Sequence, residues 1–194
     1  MKDIITAIKQ RRSIRKFKDT QIPVDILNAI LEAGQYAPSG GNNQLTHMLV
    51  IQNKEVLQKL KEVVEYEFGQ MEIYDGMYES IKASINASKK GGYEFFYNAP
   101  VLIVVTNKKG YGNAMADSAC VLENMMLAAT GYDIGSCWIN QLHWLDESPA
   151  VRKYLEELGL SDSETICGGL ALGYAEIIPG NPIKRTGNKI TFIN

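Results

Sequence analysis

The sequence has few of the residues that commonly build disulfides or metal sites. It contains 3 cysteines and 2 histidines in 194 residues. Cys120, Cys137 and Cys167 are odd in number and widely spaced, which argues against a disulfide framework and against paired zinc ligands. His47 and His143 lie far apart and outside any metal-binding motif, so each is interpreted as a structural histidine. We therefore expect no metal site, and thiols that are reduced and buried.

Long apolar runs and an excess of one charge are also missing. An apolar run such as residues 101–105 is far shorter than the roughly 18 residues that a membrane span needs. The formal net charge is -2 with mixed signs, so there is no broad basic field for a nucleic-acid backbone. The first residues do not follow the signal-peptide pattern. We expect no membrane or nucleic-acid partner, and a cytoplasmic location.

The pattern of hydrophobic residues predicts one α+β domain over residues 1–194, with helices on both faces of a modest sheet. Helices are predicted over residues 3–10, 23–34, 53–68, 113–130 and 148–159, and strands over residues 47–52, 101–105, 134–139 and 165–175. The periodicity fades between residues 71 and 98, and that segment is left unassigned. The tail, residues 179–194, ends in a strand-like alternation through residues 190–193 without a nearby partner in sequence.

A basic cluster follows the first predicted helix. Arg11, Arg12, Ser13 and Arg15 combine three guanidinium groups and a hydroxyl where the helix gives way to a turn. A guanidinium fork suits phosphate oxygens, so the cluster is a candidate anion clamp. On residue type alone, a solvated basic helix end is the more common explanation.

One of two glycine-containing segments is a further candidate for a ligand site. Residues 37–44 read Ala-Pro-Ser-Gly-Gly-Asn-Asn-Gln, a loop that can hold a polar ligand, although an ordinary helix-to-strand turn has the same composition. Gly168, Gly169 and Gly173 do not have the dinucleotide-binding spacing, so they are interpreted as close-packing positions in a strand. Walker, His-Glu-x-x-His and Gly-x-Ser-x-Gly motifs are absent.

Four segments in order along the chain resemble the landmarks of the nitroreductase family. They are Arg-Arg-Ser-Ile-Arg-Lys-Phe at 11–17, the loop at 37–44, Asn-Ala-Pro at 98–100 before an apolar strand, and Gly-Ser-Cys-Trp-Ile at 135–139. The resemblance covers nearly the whole chain and is weakest at residues 71–98. It implies a three-layer fold with a mainly antiparallel central sheet, in an obligate homodimer that exchanges C-terminal strands.

The resemblance also implies a cofactor and a reaction. Members bind FMN at the subunit interface, take electrons from NADH or NADPH, and pass them by a ping-pong mechanism to a small-molecule electrophile such as a nitroaromatic or a quinone. Because the flavin supplies the redox chemistry, no catalytic acid, base or nucleophile is expected among the side chains. Cys137 is interpreted as inert packing on a buried strand.

The family's cofactor contacts transfer to matching positions of this sequence. Arg11, Arg12 and Ser13 match phosphate and ribityl contacts, and Arg15 matches a contact at the pyrimidine edge. The remaining positions are loop residues, the end of a strand and a late basic pair: Pro38, Ser39, Gly40, Asn42, Gln44, Trp138, Ile139, Asn140, Lys184 and Arg185. The family often has Pro-Trp after the loop glutamine, whereas this sequence has Leu45 and Thr46. The family's pocket wall is therefore not assigned to these two positions.

Two other functions fit the same residues. One is a more specialised flavin enzyme of this fold, such as a dehalogenase or an enzyme that fragments flavin; residues 71–98 are the place for the added lid that it needs. The other is a non-enzymatic protein that stores or senses FMN.

Overall fold

The computed structural model describes residues 3–177, 180–182 and 184–193, and within these ranges the chain forms seven α-helices and four strands. The helices are α1 (Ile4–Gln10), α2 (Val24–Gln35), α3 (Lys54–Gln70), α4 (Glu79–Lys90), α5 (Ala114–Gly131), α6 (Gln141–Trp144) and α7 (Pro149–Glu157). The strands are β1 (His47–Ile51), β2 (Val101–Lys108), β3 (Gly135–Ile139) and β4 (Glu164–Gly173).

The four strands form one sheet in the order β1-β2-β4-β3, and each neighbouring pair is antiparallel. The central pair is buried on both faces: every residue of β2 except Lys108 is buried. This explains the continuous apolar sequence of β2, because a strand covered on both faces has no solvent side to alternate with. The predicted antiparallel sheet is confirmed.

Helices cover both faces of the sheet and so produce three layers. Helices α2 and α5 pack with one face of β2 and β4, through residues that include Ile30, Ile103 and Met125. The other face packs against α3, α4, α6 and α7, through residues that include Leu60 and Leu155. Helix α5 buries residues on most of its sides, as its apolar sequence predicts.

Local signals fix where several helices begin. The side chains of Asp3, Asn53 and Ser148 each accept a hydrogen bond from a backbone N–H in the first turn of the helix that follows. Pro149 is the first residue of α7, where its missing N–H leaves no hydrogen bond unmade. The predicted starts of α3 and α7 are therefore confirmed.

The glycines of β4 are packing positions, as predicted. A Cβ atom added at Gly173 would lie 2.6 Å from Pro100 Cδ, and one added at Gly168 would lie 3.2 Å from Trp138 Nε1. The absence of a side chain at position 168 thus lets Trp138 pack closely on β4.

The structure differs from the predicted secondary structure in two helices, two strand ends and the tail. The unassigned segment contains α4, and α6 follows β3 directly. Strand β2 continues to Lys108, whereas β4 ends at Gly173, two residues earlier than predicted. Residues 190–193 are not a strand in the single chain, and Ile190, Phe192 and Ile193 are largely exposed. Pro179 and Asn194, the ends of the predicted tail, lie outside the described residues.

Candidate functional site

The basic segment after α1 is an extended strip beside the start of β3 and the end of β4. Ser13 forms a parallel bridge with Ser136, and the backbone N–H of Ile14 donates to the Ser136 carbonyl at 2.9 Å. Further along, the N–H of Lys18 donates to the Tyr174 carbonyl at 2.9 Å. The strip is therefore fixed to the sheet by backbone hydrogen bonds, and its side chains alternate between two sides as in a strand.

Arg11, Ser13 and Arg15 lie on the side of the strip that faces Cys137. Burial raises the pKa of the Cys137 thiol, while the charge of Arg15, a hydrogen bond with Ser13 and the charge of Arg11 act in the opposite direction. All three groups are thus close to one point on β3. The guanidinium of Arg11 also lies 4.0 Å from the Glu123 carboxylate of α5. The structure therefore brings together three of the four residues of the predicted clamp.

Arg12 points to the other side of the strip. With Ile14 and Lys18 it lines a cavity of about 700 Å³ beside the start of β3. Its Nη1 donates to the carbonyl of Lys9 at 3.0 Å and also to that of Arg11. Its Nη2 is buried and has no hydrogen-bond partner within the described part of the chain. In the single chain Arg12 is therefore separate from Arg11, Ser13 and Arg15.

The loop of residues 37–44 is held at the N-terminal end of α5. The backbone N–H of Gly40 donates to both carboxylate oxygens of Asp117, at 3.1 and 3.2 Å, and the Tyr111 hydroxyl donates to the Gly40 carbonyl at 3.2 Å. Within the loop, the Gln44 N–H donates to Ser39 Oγ at 3.1 Å. The backbone is therefore fixed at several points.

The side chains of this loop remain accessible. Pro38, Asn42 and Gln44 are exposed, and Asn42 and Gln44 have φ values of 55° and 51°. This left-handed conformation is uncommon for residues other than glycine and occurs often at functional sites. The loop presents polar side chains outward from an anchored backbone, as a ligand-binding loop would.

The end of β3 forms a third part of the site. Trp138 packs on Gly168, and its indole N–H donates to Asn140 Oδ1 at 2.6 Å. Ile139 is buried in the core, whereas Asn140 is partly exposed. The next residue, Gln141, donates from its side chain to the Tyr93 hydroxyl at 2.9 Å. The strand end is thus tied to the segment that connects α4 to β2.

The late basic pair is not brought to these groups in the single chain. Lys184 and Arg185 are exposed, and no hydrogen bond or ion pair among the described residues links either to another side chain. Their predicted role at a phosphate stays a prediction.

The sequence reasoning missed two residues that shape the site. Asp117 is a buried carboxylate in a helix whose buried residues are mostly apolar, and an acid in such a position was a usable signal for a specific hydrogen bond. Tyr97 lies beneath Arg15, with Arg15 Cζ 5.9 Å from its ring centroid. The sequence shows several aromatic residues near Tyr97, but it does not show that Tyr97 contacts Arg15.

The contacts of the three cysteines and the two histidines are those of structural residues. Cys137 and Cys167 are buried, as predicted, whereas the prediction is wrong for Cys120, which is partly exposed; all three are free thiols. His47 Nδ1 contacts Glu164 at 3.1 Å, and His143 Nδ1 contacts the Ile166 carbonyl at 2.7 Å. The described residues contain no group of three potential metal ligands and no helix long and apolar enough to cross a membrane.

Chemically, the strip favours an anionic ligand. It offers two guanidinium groups and a hydroxyl on one side, and within the described ranges Glu123, 4.0 Å from Arg11, is the one carboxylate that pairs with either guanidinium. Ser136 Oγ is buried in the neighbouring strand and has no hydrogen-bond partner in that part of the chain. Guanidinium and hydroxyl donors are the groups that bind phosphate oxygens in proteins.

Comparison with known proteins assigns the family. The profile of the Nitroreductase family matches residues 8–174, so the chain belongs to this family. A nitroreductase from Bacteroides fragilis, solved with bound FMN, is 37% identical with a TM-score of 0.89, and the match covers 100% of both chains.

Curated relatives give the same family. A putative NADH dehydrogenase/NAD(P)H nitroreductase from Archaeoglobus fulgidus is 30% identical, over 90% of this chain and 86% of the relative. A 4-nitrobenzoate reductase from Nocardioides sp. is 28% identical, over 87% of this chain and 79% of the relative.

We predict that Asp117→Ala loosens the loop of residues 37–44. The substitution leaves the part-buried Gly40 N–H without its acceptor, and the loss of a hydrogen bond to a charged group costs about 1.5–3 kcal/mol. Urea unfolding should show a loss of this size, and amide hydrogen exchange should accelerate at residues 40–44. Asp117→Asn is the matched control, because its amide oxygen can still accept the bond. Unchanged exchange in Asp117→Ala would show that the bond does not hold the loop.

Proposed function

We propose that the protein is an FMN-dependent NAD(P)H oxidoreductase that reduces nitroaromatics, quinones or related electrophiles by a ping-pong mechanism. The observation that carries this proposal is the placement of Arg11, Ser13 and Arg15 on one side of a strip that backbone hydrogen bonds fix to Ser136 and Tyr174. It supplies donors for a phosphorylated ligand in a chain whose Bacteroides fragilis relative was solved with FMN. The 4-nitrobenzoate reductase and NAD(P)H nitroreductase names of relatives support the reaction class.

The residues present fit FMN. Arg11 and Ser13 would hold the phosphate and ribityl chain, and Arg15 would lie at the pyrimidine edge of the ring. Bound FMN would accept a hydride from the nicotinamide and deliver the electrons to the second substrate. Arg15 would hold a positive charge beside the ring, which would favour reduction of the flavin. Arg12 would reach the phosphate only if its guanidinium leaves the carbonyls that it now contacts.

The loop and the strand end would complete the site. Pro38, Ser39, Gly40, Asn42 and Gln44 would be presented to the flavin, in part from a second subunit. Trp138, Ile139 and Asn140 would lie beside the ring, where a backbone N–H can reach flavin N5. The exposed side chains of the loop and its anchored backbone support this role.

The proposed reaction requires no nucleophilic side chain. Cys137 is buried and its pKa is raised by burial, so the thiol form dominates at neutral pH. The transfer of two electrons from NAD(P)H to a quinone, with one proton from solvent, gives NAD(P)⁺ and the quinol and balances without a protein group.

We predict that the purified protein is yellow and oxidises NADH or NADPH faster when a quinone or nitroaromatic is added. Chromatography of the released cofactor should give FMN and not FAD, and double-reciprocal plots at several electrophile concentrations should be parallel. The same protein stripped of flavin is the control and should be inactive until FMN is returned.

Two outcomes would contradict the proposal. Bound FMN that stays oxidised under both nicotinamides would indicate a flavin-storing or sensing protein. A colourless protein that does not take up added FMN would leave the clamp without its ligand.

We further propose a homodimer in which the C-terminal tail reaches the partner subunit. Ile190, Phe192 and Ile193 are 79%, 83% and 95% exposed in the single chain, and their backbone forms no strand. Such residues gain most by joining a sheet edge of another chain, which would also carry Lys184 and Arg185 toward a phosphate.

Removal of residues 179–194 should therefore give a monomer or an aggregate with little bound FMN, because tail exchange makes dimerisation and the site interdependent. Light scattering and flavin absorbance measure both properties. Substituting Ile190 and Phe192 by serine keeps the chain length and should weaken the dimer less. A stable truncated dimer with full flavin occupancy would show that the tail is not exchanged.

A further inference from the structure

Tyr97 and Asn98 have an unusual backbone conformation. Their φ values are 59° and 54°, so two consecutive residues other than glycine lie in the left-handed region. This conformation is rare for a bulky aromatic residue and persists only where the surroundings enforce it. Here the flanking Phe96 and Ala99 are both buried, and the N–H of Ala99 donates to the Phe96 carbonyl at 3.2 Å. The packed core on both sides holds the turn.

The turn places the Tyr97 side chain against Arg15. The Arg15 guanidinium carbon lies 5.9 Å from the centre of the Tyr97 ring, within the range of a cation–π contact. A hydrogen bond with Tyr97 is also the main reason that the pKa of Arg15 is raised above its ordinary value. Arg15 is otherwise exposed, and a long exposed arginine samples many rotamers unless a partner orders it.

The chemical nature of this partner matters. Within the described ranges no carboxylate lies at ion-pair distance from Arg15, whereas Arg11 has Glu123 and Arg152 has Asp146. A carboxylate would fix the guanidinium but neutralise its charge toward a ligand. A neutral phenol ring fixes the guanidinium and leaves the full positive charge.

We propose that Tyr97 is a positioning residue that holds Arg15 beside the flavin pyrimidine edge as an uncompensated cation, and so raises the reduction potential of the bound flavin. This inference rests on the proposed function, since it needs bound FMN. It assigns a purpose to the strained turn at Tyr97 and Asn98, which lies directly before the core strand β2. The effect acts entirely through Arg15, because Tyr97 supplies no charge.

The test is a double-mutant cycle on the FMN-loaded protein. The variants are Arg15→Ala, Tyr97→Leu, Tyr97→Phe and the combination of Arg15→Ala with Tyr97→Leu, and the readout is the two-electron midpoint potential of the bound flavin. Tyr66→Leu is the matched control, because Tyr66 is an exposed tyrosine on α3 away from Arg15. Thermal unfolding and FMN stoichiometry confirm that each variant is folded and loaded.

We expect Arg15→Ala to weaken the preference for reduced flavin about tenfold, which lowers the midpoint potential by about 30 mV. Tyr97→Leu should weaken it about fivefold, or about 20 mV, and Tyr97→Phe less, because the ring face remains. In the Arg15→Ala background Tyr97→Leu should have no further effect, and Tyr66→Leu should have none in either background.

Three results would overturn the inference. They are a wild-type potential in Tyr97→Leu, an equal fall when Arg15 is already absent, and an equal fall in Tyr66→Leu. A failure of the proposed function would look different, since the wild-type protein itself would then bind no FMN or resist reduction by NADH and NADPH.

Discussion

The candidate site depends on one constraint. Backbone hydrogen bonds fix the strip after α1 to the start of β3 and to the residue that follows β4. Ile14 is bonded to Ser136, and Lys18 to Tyr174, through the backbone alone. Because the strip is extended, this register sends Arg11, Ser13 and Arg15 to one side and Arg12 and Ile14 to the other. A shift by one residue would exchange the two sets. The pairing of the strip with the sheet therefore determines which side chains face Cys137.

The positive charge of the site is local. The whole chain carries a formal net charge of -2, yet Arg11 and Arg15 both lie close enough to Cys137 on β3 for their charges to act on its thiol, and among the described residues Glu123 is the one carboxylate that pairs with either of them. Field strength near a ligand depends on groups within about one Debye length, roughly 8–10 Å, so the net charge has little influence there. Because the local charge, and not the net charge, acts on the ligand, a weakly acidic protein can contain a phosphate site.

Much of the fold follows from local patterns in the sequence. The continuous apolar run of β2, the caps Asn53 and Ser148 and the dense apolar sequence of α5 each have a direct structural consequence. Helix α4 was not predicted because its buried face includes Ser84 and Ser88, which interrupt the apolar stripe. Helix α6 has four residues, too few for a periodic signal.

The site was predictable in its residue types and less so in its geometry. The motif at 11–15 identified the basic cluster, but the position of Arg12 on the opposite side follows from pairing with Ser136, a residue more than 100 positions away. The same holds for Asp117 beneath the loop and for Tyr97 beneath Arg15, which are contacts between distant segments. The tail lacks a strand in the single chain, and its predicted pairing requires a second chain.

The central claim is that Arg11, Ser13 and Arg15 form a phosphate-and-ring clamp for FMN. The most direct measurement is a fluorescence titration of the flavin-free protein with FMN and with riboflavin, which differ only in the phosphate. Two charge-assisted hydrogen bonds, each of about 1.5–3 kcal/mol, predict that FMN binds at least about 100-fold more tightly than riboflavin. In Arg11→Ala the advantage of FMN should fall by about tenfold or more. Equal affinity for the two flavins in the unmodified protein would contradict the account.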